Sequence, residues 1–489
     1  MNRARIHSLA LVLIGISVGW ISPGGTPAWA IWPFDGPSER VDLEDPRGSA
    51  ARVLQRAIQF DTTNPPGDER PLADYLVGIL RGAGVESRVI ETPRGVSKAG
   101  RGAVWARFPG TGRRRPIVLL SHLDVVPAAR SDWALDPFEG LVGGGHVVGR
   151  GALDAKGIAV VHLFTLLTLA ERGRPLERDV ILLAVPDEET GGRTGSGWLV
   201  AQQPSVLHDA EFLLTEGGGI LPGQSGNPDI WGVTFTEKSP CWLELSARGR
   251  PGHGSAAGRE GAVPTLVAAL ERVRSIESEV RVTAEVEQMF RTLAPYAAGE
   301  DRVGLADLGR SLRLWPDFRQ RFLAEPGRSA LVRNTLAITV LRAGERTNVV
   351  PAEARAEIDA RLLPGESCPA FVEQVRRTID DPEVRIEILL DVATAPSPLG
   401  TDLYRAIERV AASPAHEGVV VPRVIAGFTD AHYYRDLGIV AYGFVPRWLR
   451  PRDTHGIHGP NERISLENLE RGISTTIEIL DALDAESAQ

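Results

Sequence analysis

ValIleLeuLeuAlaValProAspGluGluThrGlyGly, residues 180–192, decides how this chain is read. Its first half is a continuous apolar run, the pattern of a strand buried on both faces. Its second half sets two adjacent carboxylates, Glu188 and Glu189, at the mouth of that strand. Like charges a few ångströms apart repel, and desolvation raises both pKa values. A fold keeps such a pair when one carboxylate binds a cation and the other takes up a proton.

Working outward, residues 116–121, 210–215 and 439–444 read as further apolar strands, and 51–60, 71–83, 155–172, 195–203 and 466–483 as helices. Apolar strands separated by helices predict an α/β fold, a mostly parallel sheet with helices on both faces. Between residues 239 and 394 the texture changes. Residues 241–247, 334–341 and 354–362 alternate apolar and polar side chains, as half-exposed antiparallel strands do. This predicts an inserted α+β lid or dimerisation domain. The expected organisation is a signal peptide at 1–30, a linker at 31–48, a catalytic domain at 49–238 and 395–485, and the insert between them. Within the insert, residues 281–333 are helix-like and charged. The insert could pair edge to edge with a second copy, giving a homodimer, or that segment could cover the edge.

The bulk properties exclude several classes. With 489 residues, two domains are the natural expectation. The net charge of −9 and the lack of a long basic run argue against nucleic acid as a partner. Cys241 and Cys368 are the only cysteines, too few for a disulfide scaffold or a thiolate zinc cluster, so any metal falls to His and carboxylate. Arg3 and Arg5, an apolar run at 9–21 and Ala28-Trp29-Ala30 have the form of a cleaved export signal. That run is shorter than the roughly 20 residues of a membrane span. An exported protein, periplasmic or secreted, is expected, with its cysteines free and buried and no stable membrane span after cleavage. An uncleaved N-terminal anchor is the alternative.

Four polar groups fall at strand ends or helix starts: Ser121-His122-Leu123-Asp124, a Gly-rich turn at 149–154 ending in Asp154, Glu188-Glu189, and Glu216. In open α/β sheets the crevice beyond such strand ends is where ligands bind. Imidazole and carboxylate suit zinc and its first-row neighbours. Two cations about 3.5–4 Å apart can clamp the attacking and departing oxygens, and one carboxylate must then bridge them. Asp154, short and held in a tight turn, is the natural bridge. Asp124 is placed to accept the second ring N–H of His122.

SerHisLeuAspValValPro (121–127), GlyArgGlyAlaLeuAspAlaLysGly (149–157), ProAspGluGluThrGlyGly (186–192) and ThrGluGlyGly (215–218) together resemble the M20 metallopeptidases. The resemblance runs over roughly residues 50 to 483. TrpAlaLeuAspProPheGluGly (133–140) is most similar to the Gly-X carboxypeptidase and N-acyl-amino-acid hydrolase branch. The resemblance implies two divalent metal ions, zinc with cobalt as the alternative. His122 and Glu216 would hold one and Glu189 and His458 the other, with Asp154 bridging. His458 matches the family's His-x-x-Asn-Glu pattern, and His455 is its competitor. Glu188 would be the general base and Asp124 the support of His122. Where that branch often carries Asp before the ligand Glu, this chain has Thr215.

The resemblance also implies that His253 stabilises the oxyanion, supplied by the partner subunit in dimeric relatives. Asn348 and Arg361 would bind the substrate carboxylate, and Gly427 would belong to a backbone donor loop beside it. The expected enzyme cleaves the amide next to a free carboxylate in a small substrate, an N-acyl amino acid or a short peptide. A dipeptidase or Gly-X carboxypeptidase is the alternative within the hydrolases, and amide synthesis at the same site a third option. A noncatalytic binder of acyl amino acids or peptides is the remote one.

Overall fold

A computed structural model describes residues 41–223 and 226–486, apart from the side chains of residues 451, 452, 455 and 486. The expected signal peptide, most of the linker and the side chain of His455 lie outside the described residues. The first described helix begins at Pro46, so the end of the expected linker is already helical.

Two sheets organise the chain. The larger has nine strands, ordered Glu86–Glu91, Gly102–Phe108, Arg178–Val185, Arg114–His122, Phe212–Thr215, Val440–Gly443, Ile230–Glu237 and Val419–Ile425, with Gly219–Leu221 beside Ile230–Glu237. The sheet is mixed. Arg178–Val185, Arg114–His122, Phe212–Thr215 and Val440–Gly443 run parallel to one another. The first two strands join antiparallel, and Val440–Gly443 meets Ile230–Glu237 antiparallel. The antiparallel margins escape the apolar-run rule because one face of an outer strand can be polar. Glu86–Glu91 is such a strand, nowhere fully buried.

Alternate side chains of the central strands feed two cores, which puts helices on both faces as expected. Ile117, Leu119, Val180 and Leu182 pack with Leu54, Leu76, Phe164 and Leu480 of the helices Pro46–Gln59, Arg70–Gly82, Lys156–Arg172 and Leu466–Glu486. Val118, Leu120, Ile181 and Leu183 pack with Leu199, Ala431 and Tyr434 on the other face. Lys156–Arg172 is apolar all round because it is sandwiched between the sheet and the last helix. Its start passes so close to the preceding turn that a Cβ on Gly157 would sit 2.1 Å from the Ala152 carbonyl oxygen. The glycine lets the Asp154 turn press against the helix.

The smaller sheet has four strands, all antiparallel, ordered Thr335–Arg342, Glu353–Leu362, Ser239–Arg248 and Val384–Asp391. Helices Ala262–Arg274 and Cys368–Ile379 cover one face, and Glu353–Leu362 alternates buried and less buried residues accordingly. Cys241 and Cys368 are joined in a disulfide. This corrects the expectation of free thiols: 127 residues separate them, but the sheet lays the first strand directly under the start of the Cys368–Ile379 helix.

The helical segment between these strands packs elsewhere. Val286, Phe290, Leu305, Leu312 and Phe322 share a core with Val424 of the larger sheet. Ala284–Leu293 lies along Val419–Ile425, whose Val424 N–H donates to Met289 Sδ at 3.3 Å. The segment therefore covers the outer strand of the large sheet, and Thr335–Arg342 remains the outer strand of the small one.

Candidate metal centre and active site

Three parallel strands deliver the site at their carboxyl ends. His122 closes Arg114–His122, Glu188 and Glu189 follow Arg178–Val185 in a short 3-10 turn, and Glu216 follows Phe212–Thr215. Asp154 stands just before Lys156–Arg172. His458 comes from the far end of the chain with a left-handed backbone, φ 57°.

These side chains form two triads that share one member. His122, Asp154 and Glu216 offer ligand atoms all within 4.8 Å of one another, and so do Asp154, Glu189 and His458. His122 Nε2 lies 3.0 Å from Asp154 Oδ1 and 3.6 Å from Glu216 Oε1. His458 Nε2 lies 3.3 Å from Asp154 Oδ2 and 3.2 Å from Glu189 Oε2. One Asp154 oxygen thus faces each triad.

The electrostatics fit cations. Burial pushes the Glu216 carboxyl up to about 7, helped by the charge of Asp154. Burial, then Glu216 and Glu189, push Glu188 well above the carboxylate range. Burial also raises Glu189, whose Oε1 is buried with no hydrogen-bond partner among the described residues. Hydrogen bonding to the Asp154 and Glu189 carboxylates pushes His458 up to about 10. Positive charge among these buried acids, from cations or from the imidazoles, offsets their repulsion. Imidazole and carboxylate oxygens in this set are the donors that zinc and its neighbours accept.

Asp124 does more than stand beside His122. His122 Nδ1 bonds the backbone carbonyl of Asp124 at 2.9 Å, with the nearer carboxylate oxygen at 3.5 Å. The backbone oxygen thus fixes the ring. The Asp124 carboxylate accepts from the backbone N–H of Glu188 and of Glu189, both at 3.1 Å, and from Asn64 Nδ2 at 2.7 Å. It aligns the acidic turn. Arg101 braces the same network, reaching Asn64 Oδ1 at 2.8 Å, Asp187 Oδ1 at 3.1 Å and Glu69 Oε1 at 2.7 Å. Sequence reading missed Asn64 and Arg101 because neither sits in a motif. Asp124→Asn should lower kcat/KM by about 10–100-fold, since an amide must turn an NH2 toward one of the two backbone donors. Steady-state rates at saturating Co2+ test this, and wild-type values would remove Asp124 from the alignment of Glu188.

The substrate-side residues separate into two groups. His253 and Asn348 are neighbours in an exposed two-stranded ladder: His253 pairs with Val349, and Gly254 N donates to the Asn348 carbonyl at 2.8 Å. The Ser255 N–H donates to His253 Nδ1 at 3.2 Å, which puts the proton of the neutral ring on Nε2. Neither residue makes a hydrogen bond or ion pair with the triads among the described residues. Arg361 lies elsewhere, beside the loop of Gly427. Its guanidinium sits 4.8 Å from the ring centroid of Phe428. Asp359 occupies its fork, at 2.6 Å to Nε and 2.8 Å to Nη2, leaving Nη1 buried and without an acceptor among the described residues. Gly427 is exposed, with open space where a Cβ would project. A separate cavity of about 370 Å³, bordered by Arg450, Arg463 and Arg471 against Asp229, Asp453 and Glu467, includes none of these residues.

Comparison with known proteins agrees with this geometry. Residues 118–482 match the family described as Peptidase family M20/M25/M40. The mouse N-fatty-acyl-amino acid synthase/hydrolase PM20D1 is 30% identical over 387 residues, covering 76% of this chain and 74% of its own. Mouse aminoacylase-1 is 28% identical over 453 residues, covering 91% of this chain and 98% of its own. Among solved structures, the M20 family metallo-carboxypeptidase Sso-CP2 of Sulfolobus solfataricus superposes with a TM-score of 0.69 at 19% identity, over 89% of this chain and 99% of that one. The chain belongs to peptidase family M20/M25/M40 and is a hydrolase of that family.

Proposed function

We propose that the two triads each hold a divalent cation, zinc or cobalt, bridged by Asp154, and that the enzyme hydrolyses N-acyl amino acids. The observation that carries this is the pair of triads sharing Asp154, with the buried Glu188 beside them. The aminoacylase and the N-fatty-acyl-amino acid synthase/hydrolase among its relatives support the substrate class. When bound, such cations supply Lewis acidity, lowering the pKa of water toward neutrality and offsetting negative charge on the substrate carbonyl oxygen. Glu188 accepts a proton from the attacking water and passes it to the amide nitrogen as the C–N bond breaks. Water and amide thus become a carboxylate and a free amino acid. Burial among acids suits Glu188 to hold that proton between the two transfers. His253, with its proton on Nε2, is the oxyanion donor, brought in by the smaller sheet as a lid or by a second copy of the chain.

The free carboxylate of the substrate is the recognition handle. Arg361 Nη1 is the donor left to meet it, with Asn348 as a second group. Losing a charge-assisted hydrogen bond costs about 1.5–3 kcal/mol. Arg361→Met should therefore raise KM by about 10–100-fold with little change in kcat. Carboxamide analogues should show no difference between the two proteins, and an unchanged KM for the free acids would remove Arg361 from recognition. The broader test is a panel of N-acyl amino acids and dipeptides with Zn2+ or Co2+. Faster cleavage of dipeptides would favour the peptidase reading, and no turnover at all a binding protein.

Export is part of the same proposal. The form of residues 1–30 supports it, as does the Cys241–Cys368 disulfide, a bond that persists in oxidising compartments. No helix among the described residues is long and apolar enough to cross a membrane.

A further inference from the structure

The geometry points to Glu462 as the positioning residue that fixes Asp154 relative to His458, an inference that rests on the two-cation reading above. The turn at 149–154 and the loop at 456–462 lie more than 300 residues apart in sequence, yet one buried carboxylate ties them. Glu462 Oε2 accepts from Arg150 Nη1 at 2.7 Å and from Gly151 N at 3.0 Å. Its Oε1 accepts from Leu153 N at 2.7 Å and Asp154 N at 3.0 Å. The residue is fully buried, at 0% exposure. Four donors use the whole acceptor capacity of an ionised carboxylate, and no other side chain of this shape offers as much.

The tie is reciprocal. Gly149 N donates to the Glu462 carbonyl at 2.9 Å, and Arg150 Nη2 reaches the Gly459 carbonyl, next to His458, at 3.2 Å. From the other side, Arg447 Nη1 donates to the Leu153 carbonyl at 2.6 Å. The peptide groups leading into Asp154 are thus held by both their N–H and their C=O. Glu462 makes no hydrogen bond to a ligand atom of either triad among the described residues. It acts through the backbone, setting how far the bridging carboxylate stands from the imidazole of the second triad. Groups that orient metal ligands typically account for about 10–100-fold in metal affinity.

Glu462→Gln keeps the shape but must turn an NH2 against two of its four donors. The full chain, stripped of metal, is titrated with Co2+ and followed by visible absorption and calorimetry. The wild type should take up two equivalents. In Glu462→Gln the cation of the Asp154–Glu189–His458 triad should bind about 10–100-fold more weakly with an altered absorption band, while the His122 triad keeps the tighter one. Arg150→Met leaves the three backbone donors in place and should show a smaller loss. Circular dichroism of the metal-free proteins separates these effects from misfolding. Two equivalents with wild-type affinity and spectrum in Glu462→Gln would overturn the inference. If that variant does not fold, an unchanged second affinity in Arg150→Met overturns it instead. A wild type that takes up no Co2+ would defeat the two-cation reading itself, a distinct failure.

Discussion

Glu188→Gln should retain both cations and lose on the order of 10²–10⁴ in kcat, the usual contribution of a positioned general base. Glu188 belongs to neither triad, so the exchange removes no ligand. The variant is isosteric, and the hydrogen bond from its backbone N–H to Asp124 is untouched. What disappears is the ability to take and return a proton at one place. The loss should fall on kcat with KM little changed, because the group acts during bond breaking and leaves substrate binding alone. Metal analysis beside single-turnover kinetics measures both halves. Near-normal kcat would exclude Glu188 as the shuttle, and a loss of metal would make it a ligand.

Asp154→Ala should empty both triads and abolish measurable turnover, whereas Glu189→Ala should lose one cation. The asymmetry follows from sharing: Asp154 presents Oδ1 to His122 and Oδ2 to His458, while of these two imidazoles Glu189 pairs with that of His458. Removing the bridge also leaves the charges of Glu189 and Glu216 without the contact that orders the imidazoles between them. Elemental analysis after dialysis gives the stoichiometry directly. Two equivalents retained in Asp154→Ala would show that the triads do not share a ligand.

Much of the candidate centre was legible because His122, Asp154, Glu189 and Glu216 stand just at or after a strand or before a helix. The continuous apolar runs before His122, Glu189 and Glu216 mark buried parallel strands, and their polar successors must gather on one rim. His458 follows no such run, and only the family resemblance pointed to it. The outer strand Glu86–Glu91 was not read, since its half-polar faces carry no distinctive period, and Val419–Ile425 was not read because Pro422 and Arg423 interrupt its apolar run. The disulfide was missed because pairing depends on which strand lies under which helix. Asp124 was expected beside His122, and sequence could not show that its backbone oxygen would stand nearer the ring than its carboxylate. Arg361 was chosen for its fork, and sequence could not show that Asp359, two residues away on the same strand face, would fill it.

The helices from Ala284 to Ala330 leave the small sheet and rest on the large one, and Lys238 marks where the chain returns. Its Nζ donates to the carbonyls of Ala330 and Arg333 and to Thr335 Oγ1 at 2.9–3.1 Å, gathering the two connections that enter the small sheet, at 238 and at 330–335, into one place. The chain leaves the small sheet beside the same place, where Val392 N donates to the Pro240 carbonyl and Thr394 N to Ser239 Oγ, both at 3.3 Å, so three of its crossings to the large sheet are bound side by side.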